Sequence, residues 1–189
     1  LMKRAVVRVG NITIADNPDV VDTLIVGDRD SLFLGIVKCT YGKTREYTAK
    51  CNVCEQKSDV VVDMDEDFPV NKSDIDLHNN IEVKLRNGQV VRMRLPNGSD
   101  SIHVGKVSTT TASQNTLMLA RCLIPDADIL AGRSAEDWSK NLGMGDRAKL
   151  IKALLDIKVG PKLEGVNVQC AHCGSEMILN LNWMSLLFG

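Results

Sequence analysis

The sequence predicts an α+β fold in which a zinc-ribbon-like pair of β-hairpins is interrupted by a largely helical insertion that contains one further β-hairpin. Three observations lead to this prediction. Two C-x-x-C motifs, ending at Cys54 and Cys173, each stand between β-prone segments. Apolar residues recur at helical spacing in much of the stretch between the motifs. Residues 81–95 alternate between apolar and polar side chains on either side of a turn, as the strands of a hairpin do.

The two C-x-x-C motifs predict a structural zinc site. Cys51, Cys54, Cys170 and Cys173 supply four thiols, and four thiolates complete the tetrahedral shell that zinc prefers. More than half of the chain lies between Cys54 and Cys170, so the pair of hairpins is split in sequence and the metal joins distant segments. We expect His172, inside the second motif, to point outward because four thiols already fill the shell.

Two other interpretations of the cysteine pairs remain open at this point. Redox C-x-x-C motifs sit at a helix N-terminus, which lowers the pKa of the attacking thiol, whereas β-prone residues flank both motifs here. Disulfide bonds formed in an oxidised particle fit the same spacing. The other two cysteines, Cys39 and Cys122, lie in apolar, helix-like stretches, and we predict that both are buried free thiols in a protein made in a reducing cytosol.

Composition narrows the classes of function. The chain has 189 residues with 44% apolar content, which is enough to bury a substantial core. Its formal net charge is −1 and it has no long run of Lys or Arg, which does not support a general phosphate-binding surface. No apolar stretch reaches the length of about 18 residues that suggests a transmembrane helix, so we expect no membrane span.

Caps and apolar spacing predict four helices. The first covers residues 29–39 after an N-cap at Asp28, and apolar residues occupy most of its circumference, so we expect it to be buried. A second helix covers residues 116–124 and ends at a proline. Ser134 opens a short third helix through a capping box, and Asp146 caps a fourth that closes at a Gly-Pro pair.

Residues 81–95 form the clearest hairpin outside the cysteine motifs. A two-residue turn would place Val83 opposite Arg92 and would split the apolar face. A three-residue loop with Gly88 in the left-handed conformation instead pairs Val83 with Val91, and we predict that loop. The cations of the polar face are interpreted as a solvated surface rather than as a nucleic-acid site: Lys84, Arg86, Arg92 and Arg94.

The sequence contains no evident catalytic constellation, and we expect no enzymatic activity. The histidines His78, His103 and His172 have no neighbouring serine or cysteine arrangement that suggests a nucleophile. A zinc-ribbon nucleic-acid-binding protein would gather basic or aromatic side chains near the cysteine motifs, where only Lys50, Lys57 and His172 lie. These observations favour a structural protein over an enzyme or a nucleic-acid binder.

The C-terminal segment 183–189 forms an apolar tail, which either folds back onto this chain's own core or docks on a neighbouring protein. Trp183 and Phe188 are the predicted anchors of such docking. We expect a single domain, 1–189, made of the split zinc ribbon (44–65 plus 162–182), the hairpin and helical insertion (66–161) and the tail. The predicted partner-binding residues are Trp183, Met184, Leu186, Leu187 and Phe188.

Four segments in a fixed order resemble the baseplate hub proteins of tailed phages, the group related to the T-even phage baseplate hub assembly chaperone. Each C-x-x-C motif with its flanking residues is called a knuckle below. The four segments are residues 24–34 (LIVGDRDSLFL), residues 39–42 (CTYG) before the first knuckle (Cys51 and Cys54), residues 91–98 (VRMRLPNG), and the second knuckle (Cys170 and Cys173) with the WMSLLF ending. The first knuckle departs from the commoner form of the family. Glu55 follows its second cysteine, whereas Gly174 follows the second cysteine of the other knuckle.

The resemblance implies a structural component of a phage tail baseplate, at or beside the central hub, that mediates assembly through protein–protein contacts. It leaves open whether the protein stays in the virion or is a non-virion assembly chaperone of the hub. The implied partners are other phage tail and baseplate proteins in a symmetric assembly, without nucleic acid. The implied location is the virion tail baseplate, after synthesis in the host cytoplasm.

Overall fold

The structure, a computed structural model, describes residues 1–74, 79–163 and 165–188, and it confirms the predicted α+β class. His78 and the side chain of Phe188 lie outside the described residues. The chain divides into two compact units. The first unit comprises residues 1–6, 30–71 and 160–189, and the second comprises residues 7–29 and 72–159. No helix in the described ranges is both long and apolar enough to cross a membrane.

The elements of the described residues are mostly short. The helices are α1 (Met2–Ala5), α2 (Val20–Thr23), α3 (Val26–Tyr41), α4 (Gly98–Val107), α5 (Thr111–Cys122), α6 (Ala127–Leu130), α7 (Ala135–Lys140), α8 (Met144–Asp156) and α9 (Trp183–Phe188). The strands are β1 (Arg8–Val9), β2 (Ile12–Thr13), β3 (Thr44–Lys50), β4 (Lys57–Asp63), β5 (Val70–Asn71), β6 (Ile81–Lys84), β7 (Val90–Met93), β8 (Gly160–Pro161), β9 (Val166–Gln169) and β10 (Glu176–Leu179).

Both cysteine motifs connect the strands of antiparallel hairpins in the first unit. β3 pairs with β4 from Thr44↔Asp63 to Lys50↔Lys57, and β9 pairs with β10, with Val166 opposite Leu179. Burial alternates along β4, as expected for a strand with one face in a core. The core of this unit consists of Leu34, Val37, Tyr47, Cys51, Val60, Val62, Met64, Phe68, Val166, Cys170, Met177, Leu181 and Leu186.

The helical insertion is shorter in the structure than the predicted range 66–161. Phe68 belongs to the core of the first unit, and β5 pairs with β8 through Val70↔Pro161 in the same unit. Of the predicted insertion, the second unit therefore contains only residues 72–159, and it combines them with residues 7–29. The division of the chain into domains stays a prediction.

Helix α3 differs from the predicted helix in its start and in its burial. It begins at Val26, so Asp28 lies in its first turn and is not an N-cap. Its buried side chains are Leu34 and Val37, while Leu32, Phe33 and Ile36 are only partly buried, so the helix is less buried than expected. Cys39, near its end, is exposed, which corrects the prediction of a buried thiol there. The same prediction for Cys122 is confirmed.

The second unit contains the predicted hairpin in the predicted register. Val83 pairs with Val91 and Ile81 pairs with Met93, while Gly88 has a φ of 88°. The left-handed glycine sits in a three-residue loop that the Leu85 N–H closes by donating to the carbonyl of Gln89 at 2.8 Å. The strand alternation therefore selected the correct loop length. The core of this unit consists of Ile81, Val83, Leu85, Val91, Met93, Leu95, Leu119, Cys122, Leu123, Ile129, Trp138 and Leu150.

The predicted helix caps of the second unit are right in one case and wrong in another. Ser134 caps α7, and its hydroxyl accepts from the Asp137 N–H at 3.0 Å. Helix α8 begins at Met144 after an N-cap at Gly143, so Asp146 is not the cap. The Asp146 carboxylate instead accepts from the backbone N–H of Arg86 at 2.9 Å.

Candidate metal centre

The two C-x-x-C turns have the same pattern of backbone hydrogen bonds. In the first turn the Cys51 N–H donates to the carbonyl of Gln56 at 2.9 Å, and the Glu55 N–H donates to that of Cys51 at 3.0 Å. In the second, the Cys170 N–H donates to the carbonyl of Ser175 and the Gly174 N–H to that of Cys170, both at 2.9 Å. Two knuckles of matching conformation therefore present their thiols in the same way.

Glu55 and Gly174 occupy the equivalent left-handed position of the two turns. The φ of Glu55 is 59° and that of Gly174 is 70°. A residue with a Cβ is strained in this region, whereas glycine is not. The departure of the first knuckle from the commoner sequence therefore leaves the turn conformation intact, at the cost of local strain at Glu55.

The four sulfurs of the two knuckles form one cluster. Their Sγ atoms all lie within 4.8 Å of one another, with Cys51 and Cys173 separated by 3.7 Å and Cys54 and Cys170 by 3.6 Å. Tetrahedral coordination with Zn–S bonds of about 2.3 Å puts sulfurs about 3.8 Å apart. A disulfide bond is about 2.0 Å long, and all six cysteines are free. The spacing fits a metal ion at the centre of four thiolates.

Each knuckle places its first cysteine in the core and its second nearer to water. Cys51 and Cys170 are 1% and 2% exposed, Cys54 is partly buried and Cys173 is exposed. Backbone N–H groups within the turns point at the two buried sulfurs. The Val53 N–H donates to Cys51 Sγ and the His172 N–H donates to Cys170 Sγ, each at 3.4 Å. Such hydrogen bonds favour the charged form of a thiol.

The pKa values of these thiols are shifted in opposite directions. The pKa of Cys170 is lowered to about 5, first by the hydroxyl of Ser58 and then by backbone N–H groups of its own turn. The pKa of Cys51 is also lowered, first by the hydroxyl of Ser175. The backbone hydrogen bond with Gln56 favours the thiolate of Cys54, but burial and the neighbouring thiols outweigh it and raise its pKa to about 12. Four thiolates this close repel one another unless a cation neutralises them.

The residues around the sulfurs include two serines that sequence reasoning missed. Ser58 Oγ lies 3.4 Å from Cys170 Sγ, and Ser175 Oγ lies 3.2 Å from Cys51 Sγ. A signal for Ser58 was present, because strand alternation places it on the same face as Val60 and Val62, where a polar residue needs a buried partner. His172 is exposed and its Nε2 lies 3.1 Å from the carbonyl of Lys57, outside the sulfur cluster.

The sulfur cluster is a closed set of ligands. Catalytic zinc sites have three protein ligands and keep one position for water or substrate, whereas structural sites use four protein ligands. With Cys51, Cys54, Cys170 and Cys173 all within reach, a bound ion would have no open position. The chemistry of this donor set is therefore that of a structural metal centre.

The apolar tail forms α9 and packs within the first unit. Leu186 is fully buried in the core, and Trp183 makes an edge-to-face contact with Phe33, with ring centroids 4.8 Å apart. Arg45 Nη1 donates a hydrogen bond to the carbonyl of Leu186. Leu187 is partly buried against the same core, Met184 is 63% exposed, and the side chain of Phe188 is not described. Of the two alternatives for the tail, folding back applies to Trp183, Leu186 and Leu187.

A family model described as T4 bacteriophage base plate protein matches residues 2–188. The match covers both cysteine knuckles, the intervening second unit and α9. Searches of the curated proteins and of the solved structures found no match to this chain.

Proposed function

The chain belongs to the family of T4 bacteriophage base plate proteins, and on this premise we propose that it is a structural component at or beside the hub of a phage tail baseplate. The family match over residues 2–188 is the observation that carries the proposal, since it spans nearly the whole chain. Its partners in this role are other phage tail proteins. Membership of a structural family also favours a non-enzymatic role.

The metal of the centre is proposed to be zinc, held by Cys51, Cys54, Cys170 and Cys173. A four-thiolate tetrahedral set suits zinc, and the sulfur separations of 3.6 and 3.7 Å agree with its bond length. The ion would fasten the hairpin β3–β4 to the hairpin β9–β10. Such an ion would add to the stability that the apolar core of this unit provides.

Metal analysis of the full chain, purified under reducing conditions, tests the identity of the ion. We expect one zinc per chain, and its loss when Cys51 or Cys170 is replaced by serine. Cys39→Ser is the matched control, because Cys39 is an exposed free thiol outside the cluster. Protein without metal, or a disulfide within either knuckle, contradicts a structural zinc site.

Contact with a partner is proposed to involve the outer side of α9. Met184 is 63% exposed, while Leu186 and Trp183 hold the helix against the core. An exposed methionine on a helix that is packed against the core is suited to a protein–protein contact, because its side chain adapts to the surface it meets. We thus propose two roles within α9. Met184 contacts the partner, while the helix is held against the core by Trp183, Leu186 and Leu187.

Quantitative mass spectrometry of purified virions of the phage that encodes this chain tests its place in the particle. We expect the protein at a fixed copy number that matches a symmetry of the baseplate, and cross-links to hub proteins. Absence from virions, combined with a requirement for hub formation, contradicts the building-block role and identifies a non-virion assembly chaperone instead.

A further inference from the structure

Each hairpin of the candidate metal centre places a serine hydroxyl near a cysteine sulfur of the other hairpin. Ser58 lies on β4 of the first hairpin, and its hydroxyl reaches Cys170 Sγ in the second knuckle at 3.4 Å. Ser175 lies in the turn of the second hairpin, and its hydroxyl reaches Cys51 Sγ in the first knuckle at 3.2 Å. The exchange is reciprocal, and its targets are the two buried sulfurs, Cys51 and Cys170.

The environment of Ser58 directs its hydroxyl proton toward sulfur. Ser58 is 2% exposed, so water does not satisfy its hydroxyl. Its oxygen accepts from the Ala171 N–H at 3.3 Å, and Cys170 Sγ is the other partner within reach. Because the oxygen is engaged as an acceptor from Ala171, the O–H is available to donate to Cys170.

Ser175 occupies a bridging position between the two knuckles. Its hydroxyl lies 3.2 Å from Cys51 Sγ and 2.9 Å from Cys173 Sγ. A metal-bound cysteine is a thiolate and has no proton to donate, so in the loaded protein the serine is the donor. The single hydroxyl proton of Ser175 is therefore shared between a sulfur of its own turn, Cys173, and a sulfur of the other hairpin, Cys51.

Four thiolates around a divalent cation leave a net charge of about −2 at the centre. Cys173 is an exposed residue that water can reach, whereas Cys51 and Cys170, at 1% and 2% exposure, depend on protein donors. Each buried sulfur accepts one N–H from its own turn and lies within hydrogen-bonding distance of a serine hydroxyl of the other hairpin, a hydroxyl that Cys51 shares with Cys173. The serines thus donate the hydrogen bonds that water would donate to an exposed thiolate.

We propose that Ser58 and Ser175 are positioning residues of the metal centre, which stabilise the buried thiolates across the hairpin interface and couple metal binding to the docking of the two hairpins. The inference rests on the proposed metal centre and adds two residues to it. Because Ser58 reaches Cys170 and Ser175 reaches Cys51 only when the hairpins are docked, these two hydrogen bonds are absent from an undocked chain. Metal affinity and hairpin docking then rise or fall together.

The test measures zinc affinity of the full chain by competition with a chromophoric chelator, in Ser58→Ala and Ser175→Ala variants. Removing outer-layer hydrogen bonds to ligands costs about 10–100-fold in metal affinity, and we expect a loss in that range for each variant. Ser175→Thr keeps the hydroxyl and is expected to bind zinc as the parent does. Thr48→Ala is the matched control, because Thr48 is on the same hairpin and its Oγ1 donates to Asp59.

The absorption spectrum of the cobalt-substituted protein is the second measurement. It would not change if the two serines only supported the local fold and did not bond to the sulfurs. Losing a hydrogen bond raises the energy of the sulfur lone pairs, so the sulfur-to-cobalt charge-transfer band is expected to move to longer wavelength in both alanine variants and to stay in place in Thr48→Ala. Ser175 is only partly buried, so its variant keeps the test valid if Ser58→Ala does not fold. Alanine variants with parental affinity and an unshifted band overturn the serine proposal alone. A parent chain that binds no metal overturns the metal centre with it.

Discussion

At the scale of single residues, the left-handed Glu55 places backbone strain in one turn of the candidate metal centre. The equivalent position in the other knuckle is Gly174, and both turns keep the same hydrogen bonds. A residue with a Cβ in this conformation costs about 1–2 kcal/mol. The Lys50–Glu55 pair, at 3.8 Å between well-exposed side chains, offsets little of that cost.

We predict that Glu55→Gly stabilises the metal-loaded protein. Relief of the strain exceeds the entropy that a glycine loses on folding, so the free energy of unfolding should rise by about 0.5–1 kcal/mol. Asn52→Gly is the control, because Asn52 lies in the same turn and has no positive φ. Its free energy of unfolding should fall by about 0.5–1 kcal/mol. Urea unfolding of the three proteins with saturating zinc measures both changes. A Glu55→Gly protein no more stable than Asn52→Gly contradicts the strain argument.

Asp100 is a second residue whose buried hydrogen bonds are not evident from the sequence. Its carboxylate is fully buried and accepts from Arg94 at 2.6 and 3.0 Å and from Arg121 Nε at 2.7 Å. It also accepts from the Asn97 N–H at 3.0 Å in the capping box of α4. Burial alone would raise the pKa of Asp100, but these hydrogen bonds outweigh it and hold the pKa below its usual value.

We predict that Asp100→Asn destabilises the second unit by about 3 kcal/mol near neutral pH, because it breaks a buried ion pair. The folded-state pKa is depressed, so this stability is present above the unfolded pKa of about 3.9 and is lost as pH falls through the folded value. The difference between parent and variant should therefore shrink in acid. Asp156→Asn, which removes an exposed pair with Lys152, should change stability little at any pH.

Fluorescence of Trp138 in a Trp183→Phe background follows the second unit alone, since Trp138 is 4% exposed in its core. Titrating the unfolding free energy from pH 7 to about pH 3 gives the comparison. A parent–variant gap that stays constant across this range contradicts the assigned role of the Asp100 carboxylate.

At the scale of elements, sequence patterns predicted local structure well and tertiary contacts poorly. Alternation and one glycine determined the register of β6–β7, because a shift of one residue would turn Val83 to solvent. The start of α3 was missed because the Val26 N–H finds its acceptor in the carbonyl of Pro96, at 3.2 Å. The role of Asp146 was missed for the same reason, since its partner Arg86 lies far away in sequence.

The four cysteines of the sulfur cluster could be predicted because each C-x-x-C motif is a local pattern in the sequence. The serines that contact the sulfurs could not be predicted in this way. Two C-x-x-C motifs imply four ligands whatever the intervening fold. The pairing of Ser58 with Cys170 depends on how two distant hairpins face each other, which no spacing rule gives. Arg94 was interpreted as a solvated cation for a similar reason, since its buried partner Asp100 belongs to another element.

Helix α9 provides a matched pair of side chains for separating stability from assembly. We predict that Leu186→Ala lowers the free energy of unfolding of the first unit by about 2–5 kcal/mol, because it leaves a cavity at a fully buried position. Met184→Ala, at a 63% exposed position, should cost less than about 0.5 kcal/mol. Thermal unfolding measures stability, and incorporation into virions measures assembly. A Met184→Ala protein that is stable and assembles normally contradicts the docking role of Met184.

At the scale of the whole molecule, the two units have separate cores and different means of stabilisation. The second unit has a core of strand and helix side chains, together with the buried Asp100 network. The first unit places two of its four proposed ligands, Cys51 and Cys170, inside its own core. A metal bound by ligands so distant in sequence would fix both hairpins at once, and its binding free energy would then be part of the folding free energy of this unit.

We predict that removing the metal loosens the first unit and leaves the second largely intact. In hydrogen exchange with and without a strong chelator, amides of β3, β4, β9 and β10 should lose protection, because their hairpins are no longer fastened. Amides of β6 and β7, whose side chains belong to the other core, should keep theirs. Mild acid should act as chelation does, since protonation of the thiolates releases the ion. Unchanged protection in the ribbon strands would show that the metal is dispensable, and equal loss in all six strands would show that the two units unfold as one.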